Sequence, residues 1–286
     1  MKNIDQIQQN LFPAAHESIW RAFPWHRGAH QPHSSQVLAI DVFGTVQNHP
    51  LCDSLVSELV MTVFGAQMSD IAQQGWTVKL EFRVPADLFG EPRPTQLDVL
   101  LENNTAVVVL ECKFTETGGG PCSQPPEQCN GRYEMQTNPK NDKRARCALT
   151  GKGVEYWRWI PRYFTLNSAQ SYVPCPFTGP AYQYMRNLLV AGRMARWNKR
   201  RGAFGVVYVE GDCFPMTVEI TDANSEWGRF KALLRSDCAV SVGAISYQAL
   251  LELWCKAHPT DTTLDELTKW VHQKVERVER EPAFPR

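Results

Sequence analysis

The sequence lacks a net charge, a long apolar run and the glycine signature of a nucleotide-binding loop. Its 286 residues carry 30 Lys and Arg against 30 Asp and Glu, so contact with nucleic acid requires a local basic patch. No window approaches the ~18 uninterrupted apolar residues of a membrane helix. The polar residues 1–6 lack the apolar run of a signal peptide. Gly118-Gly119-Gly120 is not followed by Lys-Ser/Thr, which excludes a P-loop. We therefore expect a soluble, cytoplasmic protein with no membrane contact.

Cysteine, by contrast, is abundant, with nine residues in a protein expected in a reducing compartment. Four of them fall in a polar stretch rich in Gly and Pro: Cys122, Cys129, Cys147 and Cys175. Four thiols suffice for a tetrahedral Zn²⁺ site or an iron–sulfur cluster. A metal would also supply folding energy that such a segment lacks. The spacing is not that of two Cys-x-x-Cys pairs, so scattered reduced thiols are the alternative.

The hydrophobic pattern predicts one mixed α/β domain with an inserted subregion. Residues 53–64 have apolar positions at helical spacing and stop at Gly65. The further predicted elements are strands at 76–84, 96–101, 106–114, 204–210 and 240–245, and helices at 181–197, 247–256 and 263–277. We divide the chain into an N-terminal wrap (1–52), a core (53–114 and 181–250), a Cys-rich insertion (115–180) and C-terminal helices (251–286).

Two carboxylates interrupt the predicted hairpin of residues 96–114. Asp98 and Glu111 are embedded in apolar strands, and a turn at 102–105 brings them almost opposite each other. Because strand side chains alternate, Glu111 and Lys113 share one face while Cys112 points to the other. Carboxylates suit Mg²⁺ or Mn²⁺, and a bound ion with a lysine suits phosphodiester hydrolysis. The alternative is an ordinary ion pair between Asp98 and Lys113.

Asp98, a hairpin and then Glu111-Cys112-Lys113 resemble the signature of the PD-(D/E)XK nucleases, the restriction-endonuclease-like superfamily. The order helix, three strands, helix, strand over residues 50–210 resembles that family's αβββαβ core, a central mixed sheet flanked by helices. The residue before Asp98 is Leu97 where the family has Pro. The strings SSQ (34–36), CPF (175–177) and YQYMRN (182–187) resemble a poorly characterised bacterial branch.

The resemblance assigns roles residue by residue. Asp98 and Glu111 would hold the metal, and Lys113 would be the catalytic lysine. Glu58, on the first helix, matches the position of an additional acidic ligand in many members, although it also fits the exposed face of an amphipathic helix. Gln183 resembles the glutamine that RecB-like exonucleases place beside the site. Nucleases of that kind also carry four-cysteine iron–sulfur clusters.

A basic run follows the helix that carries Gln183: Arg193, Arg196, Lys199, Arg200 and Arg201. A position beside the site favours contact with a DNA backbone, with Trp197 available for stacking on a base. A solvated charged face is the alternative.

These observations predict a Mg²⁺-dependent deoxyribonuclease, an endonuclease rather than an exonuclease. A homodimer is expected because double-strand cleavage commonly uses two active sites. A second hypothesis is a non-catalytic module that binds nucleic acid or a partner and holds a structural four-cysteine metal. The intact set Asp98, Glu111 and Lys113 favours the enzyme. A third hypothesis, another α/β family, requires that Asp98 and Glu111 do not converge.

Overall fold

The computed structural model describes residues 4–20, 22–124, 147–166 and 175–280. The helices are α1 (Ile4–Gln9), α2 (Ser35–Ala39), α3 (Thr45–Asn48), α4 (Cys52–Phe64), α5 (Ala148–Gly151), α6 (Tyr156–Trp159), α7 (Ala181–Trp197), α8 (Pro215–Thr221), α9 (Glu226–Ala232), α10 (Tyr247–Ala257) and α11 (Thr262–Arg280). The strands are β1 (Thr77–Arg83), β2 (Gln96–Glu102), β3 (Ala106–Lys113), β4 (Arg201–Tyr208) and β5 (Val240–Ser246). Short 3-10 helices span Pro13–Ser18, Gly65–Met68, Ala86–Leu88 and Ile160–Arg162. No helix in the described ranges is both long and apolar enough to cross a membrane.

The five strands form one mixed sheet in the order β1-β2-β3-β4-β5. The pairs β1–β2 and β2–β3 are antiparallel, whereas β3–β4 and β4–β5 are parallel. Helix α7 connects β3 to β4 and packs against both strands. The restriction-endonuclease-like αβββαβ order is therefore confirmed, with α4 as the first helix.

Each face of the sheet carries its own apolar core. On one face, the N-terminal helices, α4, α10 and α11 pack against the sheet and form an apolar cluster that we call the first core. On the other face, α6, α7 and α9 form the second core. All eight residues of β3 are buried, because helices cover this central strand on both sides. That position explains why the strand is almost continuously apolar in sequence.

The segment 35–48, which the sequence assigns to the N-terminal wrap, is helical. Helices α2 and α3 are joined by a π-helical turn, Ile40–Gly44, into one continuous helical segment. Val37, Leu38 and Val42 are fully buried in the first core. Residues 36–46 are all buried, which is the pattern of a helix inside a core rather than on its surface.

Candidate active site

The hairpin of β2 and β3 brings Asp98 and Glu111 side by side. The paired register runs to Val99 opposite Leu110, so one further step along each strand sets Asp98 opposite Glu111. The Asp98 Oδ2 accepts a hydrogen bond from the backbone N–H of Cys112 at 2.8 Å. The convergence expected from the sequence is present, and the hypothesis that needed these carboxylates apart is not supported.

Lys113 lies against Glu111 on the same face of β3. Its Nζ is 2.8 Å from Glu111 Oε1, and both side chains are buried. Burial favours the neutral amine, but the charges of Glu111 and Asp98 outweigh it and hold the pKa of Lys113 above its usual value. The intervening Cys112 packs in the first core, on the opposite face. A buried ammonium therefore stands beside the two carboxylates.

Two amides of α7 fix the carboxylate of Glu111. Gln183 Nε2 donates to Glu111 Oε1 at 2.7 Å, and Asn187 Nδ2 donates to Glu111 Oε2 at 2.7 Å. Lys113 Nζ donates to Gln183 Oε1 at 3.3 Å. The structure thus brings Gln183 into the cluster. Asn187 carries no role in the sequence prediction, although residues four apart share one face of a helix.

The glycine triplet after β3 holds the start of α7 close to the site. The backbone N–H of Gly120 donates to Gln183 Oε1. A Cβ added at Gly119 would meet the backbone oxygen of Pro180 at 2.2 Å, a distance that real contacts do not reach. Only glycine permits this approach. The triplet therefore has a packing role that orients Gln183.

Glu116 connects the site to the SSQ string. Its Oε1 accepts a hydrogen bond from Ser35 Oγ at 2.5 Å, and its Oε2 accepts from the backbone N–H of Phe114 at 2.9 Å. On β1, Glu81 accepts a hydrogen bond from the side-chain amide of Gln96. Neither acidic residue was identified from the sequence, where each resembles an exposed loop or strand position.

Charge is concentrated at this end of the hairpin. Burial, together with the charge of Glu111, raises the pKa of Asp98 well above its usual value. Burial also raises the pKa of Glu81, to about 7. Carboxylates held together in a dry environment disfavour their own ionisation unless a cation offsets them. The cluster therefore has the chemistry of a cation site.

The donor set fits Mg²⁺ or Mn²⁺. Within the described ranges, no three carboxylate, thiol or imidazole side chains stand close enough to ligate one ion. Mg²⁺ needs only one or two carboxylates, because waters and substrate oxygens complete its shell. The Oδ1 of Asn187 is buried without a hydrogen-bond partner beside Glu111, which is consistent with a missing water or hydrated ion. Asp98 and Glu111 are the residues that would hold the metal.

Glu58 lies elsewhere, which corrects its predicted place in the cluster. On α4 its Oε1 is 2.9 Å from His258 Nε2 and accepts a hydrogen bond from Ser54. It lines a separate surface cavity with Asp53 and Ser57. The alternative, a polar residue on the solvent side of an amphipathic helix, agrees better with these contacts.

The basic run also lies away from the carboxylates, contrary to the expectation that it adjoins them. Arg201 pairs with Ala106, at the beginning of β3, whereas Glu111 is near its end. Gln183 and Arg196 are 13 positions apart on α7, which separates them by roughly 20 Å. The run therefore lies at the end of the central strands that is farther from Glu111.

The members of the run differ in their surroundings. Arg193 stacks over the Trp159 ring at 4.6 Å, and Arg200 pairs with Glu102 at 2.9 Å, so both are engaged within the protein. Arg196, Lys199 and Arg201 are exposed, and Arg201 pairs with the exposed Asp70. Trp197 is 75% exposed.

Three of the four grouped cysteines line one small apolar pocket. Cys122, Cys147 and Cys175 border it together with aromatic residues of the second core. Cys129 lies outside the described residues, and among the described residues no group of three Cys, His, Asp or Glu side chains is placed to hold a metal ion. The zinc or iron–sulfur site stays a prediction.

One comparison with known proteins gives a match. A family model described as "Restriction Endonuclease associating with ARP" matches residues 2–274. No curated protein and no solved structure matches the chain.

Proposed function

The chain belongs to the family of restriction endonucleases associating with ARP, and on that premise we propose that it is a metal-dependent nuclease that hydrolyses phosphodiester bonds in DNA. The observation that carries the proposal is the meeting of Asp98, Glu111 and Lys113 on one hairpin, with Gln183 and Asn187 holding Glu111. A structural ion pair alone would not require two further buried amides or a carboxylate on the neighbouring strand.

Each residue of the cluster has its own role, which follows from its position. Asp98 uses Oδ2 for the Cys112 N–H, so its Oδ1 would be the oxygen available to a metal. The amides of α7 keep Glu111 in one orientation, which pre-organises the site. The Lys113 ammonium would donate to a phosphate oxygen and stabilise charge that develops there. When bound, Mg²⁺ would acidify the attacking water and offset the charge of the phosphate.

The direct test is incubation of supercoiled and linear DNA with the full chain in Mg²⁺, Mn²⁺ or EDTA. We expect the supercoiled circle to be nicked or linearised with either metal and to stay intact in EDTA. Asp98→Asn, which removes a charge and keeps the shape, should abolish cleavage with both metals. A protein that binds DNA and cuts neither substrate would contradict the proposal and favour the non-catalytic binding module.

Cleavage of the closed circle would also support an endonuclease, since an exonuclease needs an end. A homodimer stays a prediction, and so does a cytoplasmic location. DNA is proposed as the substrate because the family is one of restriction endonucleases.

We propose that the exposed members of the basic run contact DNA phosphates away from the cutting site. Replacing Arg196 and Lys199 together by Gln should lower the slope of log affinity against log salt by about 2, one for each lost phosphate contact. Fluorescence anisotropy with a DNA duplex at several salt concentrations measures this slope. Lys256→Gln with Lys269→Gln, on the other side of the sheet, removes the same charge and should leave the slope unchanged. If both double variants have the same slope, the basic run does not contact the DNA.

A further inference from the structure

A surface cavity of about 520 Å³ lies beside β1, an edge strand of the sheet. Residues 79–83 of β1 form one wall, and the segment before α2 forms the other with Trp20 and Pro24. We call it the β1 cavity. Its volume is within the range of pockets that bind small organic groups, and the catalytic cluster described above does not use it.

Trp20 presents an aromatic face in this cavity on a fixed support. It is 50% exposed, and its ring packs against the buried Phe23 with 4.4 Å between centroids. Phe23 packs in turn against Trp25 at 4.6 Å. The buried side chain of Gln36 donates to the backbone oxygen of Pro24 at 3.1 Å, which anchors the segment to α2. The indole is therefore held in place while much of its surface stays in water.

Unpaired positive charge adjoins the cavity. Residues 18–40 contain no Asp or Glu, and Arg27 within them is exposed. Arg83 of β1 lines the cavity and is also exposed. Among the described residues neither arginine forms an ion pair, whereas the exposed Arg201 and Arg235 pair with neighbouring acids. Exposed guanidinium groups without a protein partner are available to an anion such as a phosphate.

The β1 cavity lies within electrostatic reach of the candidate active site. Glu81 lines the cavity, and its Oε2 is 3.7 Å from His26 Nε2 of the opposite wall. The charge of Glu111 contributes to the raised pKa of Glu81, and the charge of Glu81 contributes to that of Asp98. A DNA strand held at Asp98 and Glu111 can therefore place a neighbouring nucleotide in the cavity.

An extended peptide is the other occupant that a groove beside an edge strand could take. Such a peptide needs a regular row of free backbone groups. In this groove Gln47 Nε2 already donates to the backbone oxygen of Val78 at 2.7 Å. Glu81 has φ of 50°, the left-handed region, which interrupts the strand in the middle of the wall. The exposed indole and the unpaired arginines favour a nucleotide instead.

We infer that the β1 cavity binds an unpaired nucleobase of the DNA substrate, which stacks on Trp20 while adjoining phosphates contact Arg83 and Arg27. The inference rests on the proposed function. An indole can stack on a base only when the face of that base is free, as in a single strand, in an overhang or after displacement from a duplex. We therefore expect the protein to bind DNA that has unpaired bases more tightly than a blunt duplex.

The test compares two single strands of equal length, one of mixed sequence and one fully abasic, which keeps the phosphates and lacks the bases. Fluorescence anisotropy with the full chain in Ca²⁺, which carboxylates also bind, gives both affinities. We expect the ratio of intact to abasic affinity to fall about tenfold in Trp20→Ala, the effect of one lost base–aromatic stack. Trp20→Phe should keep most of the ratio. Trp20→Leu, which still packs on Phe23, should lose it as Trp20→Ala does.

Arg83→Gln tests the phosphate contact separately from the base. It should lower the slope of log affinity against log salt by roughly 0.7, the value for one contact on a single strand, and leave the ratio of intact to abasic affinity unchanged. Arg229→Gln is the matched control, because it removes an exposed arginine of α9 that pairs with Glu226. It should change neither the slope nor the ratio.

The outcomes separate this inference from the proposed function. If Trp20→Ala and Trp20→Leu keep the wild-type ratio, the base site is overturned, and cleavage of supercoiled DNA still decides the nuclease. A wild type that cuts DNA but binds blunt duplex and single strand equally well also overturns it. If the ratio falls as expected and the wild type cuts no DNA with Mg²⁺ or Mn²⁺, the base site stands and the proposed nuclease does not.

Discussion

Replacing Lys113 by Met should reduce DNA cleavage by about 10²–10⁴-fold, the usual effect of removing a group that stabilises charge or moves a proton at the reacting centre. Methionine keeps the length and apolar stem of the side chain and removes the ammonium next to Glu111. Because Asp98 and Glu111 then lose their buried counter-charge, Mn²⁺ binding should stay the same or become tighter. Initial rates on supercoiled DNA, with calorimetric titration of Mn²⁺, measure the two effects.

The combination of slower cleavage with intact metal binding is what identifies a catalytic lysine. Lys79→Met is the matched control, since Lys79 is also a sheet lysine in an ion pair, with Glu102 at 2.6 Å, but does not pair with Asp98 or Glu111. It should cleave at the wild-type rate. A Lys113→Met protein that cleaves normally, or one that has lost its metal together with its activity, would remove Lys113 from the proposed role.

The hairpin and its two carboxylates could be predicted because local rules determine them. A short polar turn between two apolar runs sets the register of β2 and β3, and that register alone sets Asp98 beside Glu111. The strand alternation likewise separates Cys112 from its neighbours. Helix α7 begins at Ala181, as its pattern predicts, and this puts Gln183 in the first turn beside the end of β3.

Glu81 and Asn187 were missed for different reasons. Alternation along β1 groups Glu81 with Lys79 and Arg83 on a polar face. The left-handed φ of 50° at Glu81 breaks this alternation, and nothing in a glutamate side chain signals such a backbone. Asn187 had a signal, because it lies one helical turn after Gln183 on the same face. Both amides bind the carboxylate of Glu111, so the role of Asn187 could have been inferred together with that of Gln183.

The positions of Glu58 and of the basic run depend on tertiary geometry that spacing does not contain. Arg196 follows Gln183 closely in sequence, but the two residues lie near opposite ends of the 17-residue helix α7. They are therefore far apart in space. Glu58 lies on a helix of the correct type, but its carboxylate turns towards His258 of α10. The order of helices and strands along the chain was therefore enough to predict the fold. The directions in which individual side chains point could be known only from the packed structure.

Breaking the buried ion pair of Asp41 and Lys274 should cause a large loss of stability. Asp41 is fully buried in the π-helical turn, and Lys274 of α11 contacts its Oδ2. The same carboxylate accepts hydrogen bonds from Phe12 N–H at 2.7 Å and Trp270 Nε1 at 3.1 Å, so it joins the two ends of the chain to the core. Lys274→Met would leave this acid buried without a cation, which costs about 3–5 kcal/mol.

Urea unfolding followed by tryptophan fluorescence gives this free energy from the shift of the midpoint. Asp41→Asn combined with Lys274→Met should recover much of the loss, because the neutral amide no longer needs a counter-charge. Lys269→Met, five residues earlier on α11, breaks an exposed pair with Asp265 and should leave the midpoint unchanged, since water already screens that pair. If Lys274→Met and Lys269→Met unfold at the same urea concentration, the buried pair does not hold the termini to the core.

Because this cluster lies in the first core, on the opposite side of the sheet from Glu111, any loss of DNA cleavage in Lys274→Met should follow the fraction of unfolded protein and disappear at lower temperature.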